Sequence, residues 1–364
     1  MECTWKLSVL LIVTISLLAA CSAKSAAELP RFDAQPELGY ADGAAETNMS
    51  EDRVSAPPDL PGTPYPNDEM LRLNQIQCKG THNSYHQLPD EEVAPDWLYE
   101  HAPLDVQLEE FGVRQVELDV HWHAETSEFL VYHVPILDDN TSCETLTGCL
   151  ALLKTWSDSH PGHQTVFVFI EPKDDLDLHT IEGHYDELDA AILATWPRDR
   201  IVAPADVVGD HINLQEALAK QGWPTLGETR GKALFHLLDS GHHRANYLGP
   251  EVSLANRVMH VRGGPETPWG SFVEVGNAQG HEEEITTLAK ANYMVRSTAD
   301  STNPDSFVNN PDRAAAALVA SHVISTDFPD PNRAGDYSFS IPDGAPSRCH
   351  PVTAPEWCKA ADIE

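Results

Sequence analysis

The chain has 364 residues, 57 acidic against 23 basic, giving a formal charge of −34. A hydrophobic fraction of 41% supports a sizeable core and excludes a wholly disordered chain. The charge excludes nucleic-acid binding, which needs a basic footprint, and bulk attraction to anionic lipid. Any anionic substrate must therefore meet a local cation.

The N-terminus has the pattern of an export signal. Lys6 precedes an apolar run from Leu7 to Ala20, too short to span a bilayer comfortably and of the right length for a signal core. The run closes in Leu18-Ala19-Ala20-Cys21, which resembles a bacterial lipobox, so Cys21 is expected to carry lipid. Residues 1–20 then form the signal peptide and 21–66 a Pro/Ala-rich acidic tether unable to offset its ordering entropy. Residues 67–364 form the folded domain. This places the domain outside the cytoplasm as an envelope lipoprotein, at the outer membrane in a Gram-negative host, held by the lipid anchor as a monomer.

Short apolar runs predict strands at Gln75–Lys79, Gln115–His121, Phe129–His133, Thr165–Glu171, Lys232–Leu238, Val258–Arg262, Tyr293–Arg296 and His322–Asp327. Amphipathic stretches predict helices at Cys143–Ser159, His179–Trp196, Asn213–Gln221, Glu282–Ala291 and Pro311–Ala320. The run Thr165–Glu171 is nearly continuous in apolar residues, as suits a strand covered on both faces. Eight strands interleaved with helices point to a single α/β domain, a (β/α)8 TIM-type barrel. A doubly wound sheet is disfavoured, because no glycine-rich phosphate turn follows the first strand. The Gly/Pro-rich stretch 239–280 is expected to be irregular. Among the cysteines, local disulfides Cys143–Cys149 and Cys349–Cys358 suit an exported domain, with Cys78 buried in the first strand.

Barrel enzymes carry their chemistry at the C-terminal ends of strands. The first strand runs into Gly80-Thr81-His82-Asn83-Ser84-Tyr85-His86, and the second reads Val116-Glu117-Leu118-Asp119-Val120-His121-Trp122. Glu117 and Asp119 share one strand face, where two buried carboxylates repel unless a cation joins them. The third run ends in Tyr132-His133-Val134-Pro135 and the fourth in Glu171-Pro172-Lys173. Gathered at one mouth, Asn83, Glu117, Asp119 and Glu171 make an all-oxygen set suited to calcium, with magnesium or manganese as other options. His82 and His133 beside a Lewis acid suit phosphodiester cleavage, one as base and one as acid.

These residues resemble the phosphatidylinositol-specific phospholipase C superfamily, most closely its calcium-dependent bacterial branch. The resemblance spans roughly 70–330 and rests on GTHNSYH, VELDVHW, VYHVP and FIEPK. It implies that His82 is the general base and His133 the general acid, with Asn83, Glu117, Asp119 and Glu171 as Ca2+ ligands. It also implies that Arg296, in the segment Val295–Asp300, contacts the inositol ring. Lys173 contacts the substrate, or else pairs with Asp174 or Asp175. His86, His121 and His123 are expected around the site in supporting roles. With no lysine cluster for extra ring phosphates, a phosphatidylinositol-like lipid is the expected substrate rather than its bisphosphate. The expected products are diacylglycerol and a cyclic inositol phosphate. A glycerophosphodiester phosphodiesterase is the alternative enzyme, but its opening His-Arg and Pro-Glu-Asn elements have no counterpart. A catalytically silent lipoprotein binding module would have lost a histidine or a ligand, and none is missing.

Overall fold

The computed structural model describes residues 65–364, apart from 92, 176–179, 304–306, 334, 336 and 344–345. The signal sequence, Cys21 and almost all of the tether lie outside the described residues. Strands β1 (Ile76–Thr81), β2 (Gln115–His123), β3 (Glu128–Val131), β4 (Val166–Lys173) and β5 (Ala233–Leu237) open the sheet. It continues through β6 (Met259–Arg262), β7 (Gly270–Glu274), β8 (Met294–Thr298), β9 (Val323–Thr326) and β10 (Ser347–Cys349). The longer helices are α1 (Leu146–Ser159), α2 (Tyr185–Thr195), α3 (Leu214–Lys220), α4 (His242–Leu248), α5 (Glu282–Lys290) and α6 (Asn310–Ala320).

The spatial order β1-β9-β8-β7-β6-β5-β4-β2 is parallel throughout, and β1 pairs back onto β2 to close the barrel. The expected TIM-type barrel is therefore present, with one exchange of strands. The Phe129–His133 run is β3, which pairs antiparallel with β2 as a hairpin outside the barrel. A local apolar run cannot distinguish a returning ribbon from a barrel strand. The eighth barrel strand is instead β7, five residues inside the stretch expected to be irregular. Its first residue packs backbone to backbone in the β6–β7 loop, where a side chain on Gly270 would meet the Gly263 carbonyl oxygen at 2.3 Å.

Barrel closure rests on one register pair, Gly80 with Gln115. The Gln115 side chain fills the gap, donating to the Thr81 carbonyl at 3.2 Å and accepting from the Ser325 hydroxyl at 2.6 Å. A Cβ on Gly80 would lie 1.9 Å from Gln115 Oε1 and 2.8 Å from its Cβ. Rotation of the amide cannot relieve the second clash. Gly80→Ala should cost about 1–3 kcal/mol, as overpacking does, and urea unfolding would measure it. A loss within about 0.5 kcal/mol, the range of neutral surface changes, would mean that Gln115 does not seal the barrel.

The interior is apolar below and charged above. Phe167 and Phe169 on β4 meet Phe272 on β7 at 6.3 and 5.9 Å between ring centres. Those strands are not neighbours, so the contact crosses the barrel. Each buried phenyl contributes about 1.5–3 kcal/mol. Two residues further along the same face of β4 comes Glu171, because side chains alternate. The outward face, including Val168, Ile170 and Phe235, is buried under the helices, with Phe235 against Trp196. Both expected disulfides are formed, and Cys78 is free and buried. Among the described residues, no helix is long and apolar enough to cross a membrane.

Candidate active site

Adjacent strands deliver the first imidazole with its partner. Thr81 on β1 and Thr326 on β9 are register partners, so the residues that follow them, His82 and Asp327, emerge side by side. His82 Nδ1 lies 2.9 Å from Asp327 Oδ1, and Nε2 lies 3.7 Å from Glu117 Oε1. Burial alone would favour the neutral ring, but the charges of Asp327 and Glu117 outweigh it and raise His82 to about 9. Asp327 is held in turn by Asp300, whose Oδ1 accepts its backbone N–H at 2.9 Å. Burial, followed by the Asp327 charge, lifts the Asp300 carboxyl to about 7.

The second imidazole comes from the β3 hairpin, not from a barrel strand end. Reciprocal backbone bonds between Val134 and Asp138, both 2.9 Å, fold the chain back and bring the Asp138 carboxylate to 2.6 Å from His133 Nδ1. His86 Nε2 reaches the same carboxylate at 2.9 and 3.0 Å, while its Nδ1 is fixed by the Tyr99 carbonyl. Burial would raise the Asp138 carboxyl, but the bonds from His133 and His86 prevail and hold it below the usual carboxylate range. His82 and His133 line one cavity of about 290 Å³, with Asn83, Trp97, Tyr99 and Arg313 among its walls.

The carboxylates converge beside it. Asp119 on β2 and Glu171 on β4 are register partners, and Glu117 lies two residues before Asp119 on the same face. One oxygen from each of the three lies within 4.8 Å of the others. Glu117 and Asp119 are almost fully buried. Arg296 pairs with Glu117, and Lys173 contacts Glu171 at 2.6 Å and Asp119 at 3.2 Å. Arg296 and Lys173 neutralise part of the carboxylate charge, and burial pushes the Glu117 carboxyl upward despite Arg296 and His82. Neither Asp119 oxygen receives a well-directed hydrogen bond. Buried, under-satisfied oxygens of this kind fit a hard divalent cation.

Asn83 completes the expected set only in part. It is buried on the cavity wall with φ of 42°, a left-handed conformation that Asn tolerates. Its Nδ2 donates to the Tyr99 hydroxyl at 3.2 Å, which leaves its carbonyl oxygen as the atom suited to a cation. Lys173 and Arg296, expected to contact substrate, pair here with the carboxylates, Arg296 with Glu117 and Lys173 with Glu171 and Asp119 rather than with Asp174 or Asp175. Asp174 meets His242 and His243, and Asp175 meets His121 and Tyr132. His123 contacts the Tyr132 hydroxyl at 2.9 Å. The sequence reading missed Asp327, Asp138 and Asp300. Asp327 was detectable, because the predicted strand His322–Asp327 ends on it.

Residues 71–130 and 123–351 match the sequence model of the family described as "Phosphoinositide phospholipase C, Ca2+-dependent". No curated protein is significantly similar in sequence. Among solved structures, the chain resembles a Ca2+-dependent phosphatidylinositol-specific phospholipase C from Streptomyces antibioticus. The match has 21% identity and a TM-score of 0.54, over 71% of this chain and 95% of that one. It also resembles a calcium-dependent phosphoinositol-specific phospholipase C from a Gram-negative bacterium, Pseudomonas sp. Here identity is 18% and the TM-score 0.52, over 78% of this chain and 97% of that one. At these identities the structural likeness concerns the fold.

Proposed function

Since the chain belongs to the calcium-dependent phosphoinositide phospholipase C family and is a phosphoric diester hydrolase, we propose that it cleaves phosphatidylinositol to diacylglycerol and a cyclic inositol phosphate. The observation that carries this reading is the single cavity lined by two imidazoles, each backed by a carboxylate, beside three converging carboxylates. His82 takes the proton of the inositol 2-hydroxyl, and that oxygen forms the new bond to phosphorus. His133 gives its proton to the glycerol oxygen as the P–O bond to diacylglycerol breaks. Water then opens the ring phosphate slowly with the two roles exchanged. Asp327 and Asp138 orient the rings and stabilise their protonated forms. Arg313, half-buried on the cavity wall, is available to ring hydroxyls.

Glu117, Asp119 and Glu171, with Asn83, would hold the calcium. When bound, calcium supplies charge neutralisation at the phosphoryl oxygens and offsets the Glu117 charge that helps to hold His82 protonated. Two results follow. Excess chelator should abolish turnover, calcium should restore it better than magnesium, and Asp119→Asn should weaken calcium binding, raising the calcium concentration needed for activity by orders of magnitude. In calcium-free protein the His82 ring should titrate near 9, and calcium should move that titration downward in an NMR pH series. Full activity in chelator, or a His82 titration unmoved by calcium, would refute the metal site as drawn.

We also read Cys21 as the lipid anchor of an envelope protein. Wild-type chain should partition with detergent, whereas Cys21→Ala should remain aqueous or stay as uncleaved precursor. Identical partitioning of the two would reject the anchor.

A further inference from the structure

At the C-terminal ends of β4 and β5, outside the cavity, a second group of ligand-type side chains gathers. Asp174 follows β4, and His242 and His243 open α4 after β5. The Nε2 atoms of both histidines approach the same oxygen, Asp174 Oδ2, at 3.3 and 3.5 Å. Both distances are longer than charge-assisted hydrogen bonds, which are typically about 2.7–2.9 Å. They are close to the edge of a tetrahedron drawn around an ion at about 2.0–2.1 Å from each ligand, which is roughly 3.3 Å. All three donor atoms lie within 4.8 Å of one another.

The supporting contacts suit ligands rather than a chance surface pair. Asp174 Oδ1 accepts the Ile181 N–H at 2.9 Å, which turns Oδ2 toward the histidines. His243 is buried, and its Nδ1 bonds the Tyr185 hydroxyl at 2.9 Å, the outer contact that fixes a metal-bound imidazole. The two rings lie 3.9 Å apart between centres.

We propose that Asp174, His242 and His243 form a second metal site, for a borderline transition ion of the zinc class, that ties the end of β4 to α4. Two nitrogens and one oxygen favour such an ion, whereas the all-oxygen group at Glu117, Asp119 and Glu171 favours calcium. Three protein ligands leave a fourth position for water. The site is independent of the phospholipase reading.

The test is a titration of the calcium-loaded full chain with zinc chloride, following bound zinc by equilibrium dialysis and thermal stability in parallel. Wild type should bind one equivalent that millimolar calcium does not displace, with a rise in Tm. His242→Ala and Asp174→Asn should each weaken that binding at least tenfold. His242 is 61% exposed, so its loss leaves the fold intact. Tyr185→Phe should weaken it by about 10–100-fold, as loss of an outer partner does. His133→Ala should leave it unchanged, which separates this site from the group His86, His133 and Asp138. Equal zinc affinity in wild type, His242→Ala and Asp174→Asn would overturn the proposal. So would loss of the zinc equivalent in His133→Ala with retention in the other two.

Discussion

His82→Ala should lower kcat/KM for phosphatidylinositol by about 10²–10⁴-fold, the worth of a positioned acid–base group. The ring sits at the junction of the cavity and the carboxylates, with Nδ1 held by Asp327 and Nε2 turned toward Glu117. No other described histidine on that cavity can replace it, because His133 is committed to Asp138. The deficit should be similar for every leaving group, since the attacking oxygen is never deprotonated. Asp327→Asn should lose much of the same factor, because an amide can present its N–H to Nδ1 and reverse the tautomer. Saturating calcium should not rescue either variant. A deficit below tenfold for His82→Ala would remove it from the mechanism.

Asp138→Asn should be nearly as damaging, about 10²-fold or more, although Asp138 need not touch substrate. Its buried carboxylate is shared by His133 at 2.6 Å and His86 at 2.9 Å. Loss of that anion leaves the His133 ring unanchored, so the deficit should be largest with an alkoxide leaving group and shrink with a phenolate. A merely structural Asp138 would lower the amount of folded enzyme and leave that dependence unmoved. His86→Asn, which leaves the His133–Asp138 contact in place, should cost less.

What the sequence made legible depended on range. The strand Val166–Lys173 follows from a nearly continuous apolar run, and the shared face of Glu117 and Asp119 from two-residue alternation, so both were visible without a fold. The Phe129–His133 run was visible as a strand, but its place outside the barrel depends on pairing with β2. Strand β7 was hidden by its shortness and by glycines that serve a close backbone approach. The counter-charges were least legible. Arg296 reaches Glu117 across 179 positions of sequence and Asp327 reaches His82 across 245, so both contacts exist only through strand order. Lys173 shares the face of Glu171, a parity that the sequence reading did not use.

The central claim is the division of labour between the two imidazoles, and the leaving group tests it most directly. His133→Ala and His82→Ala should be compared with wild type on two inositol phosphodiesters, one releasing an alkoxide such as diacylglycerol and one a phenolate. A phenolate departs without much help from an acid, so His133→Ala should recover most of its deficit on that substrate. His82→Ala should recover none. Equal losses for His133→Ala on both substrates, or selective recovery of His82→Ala, would contradict the assignment of His133 as acid and His82 as base.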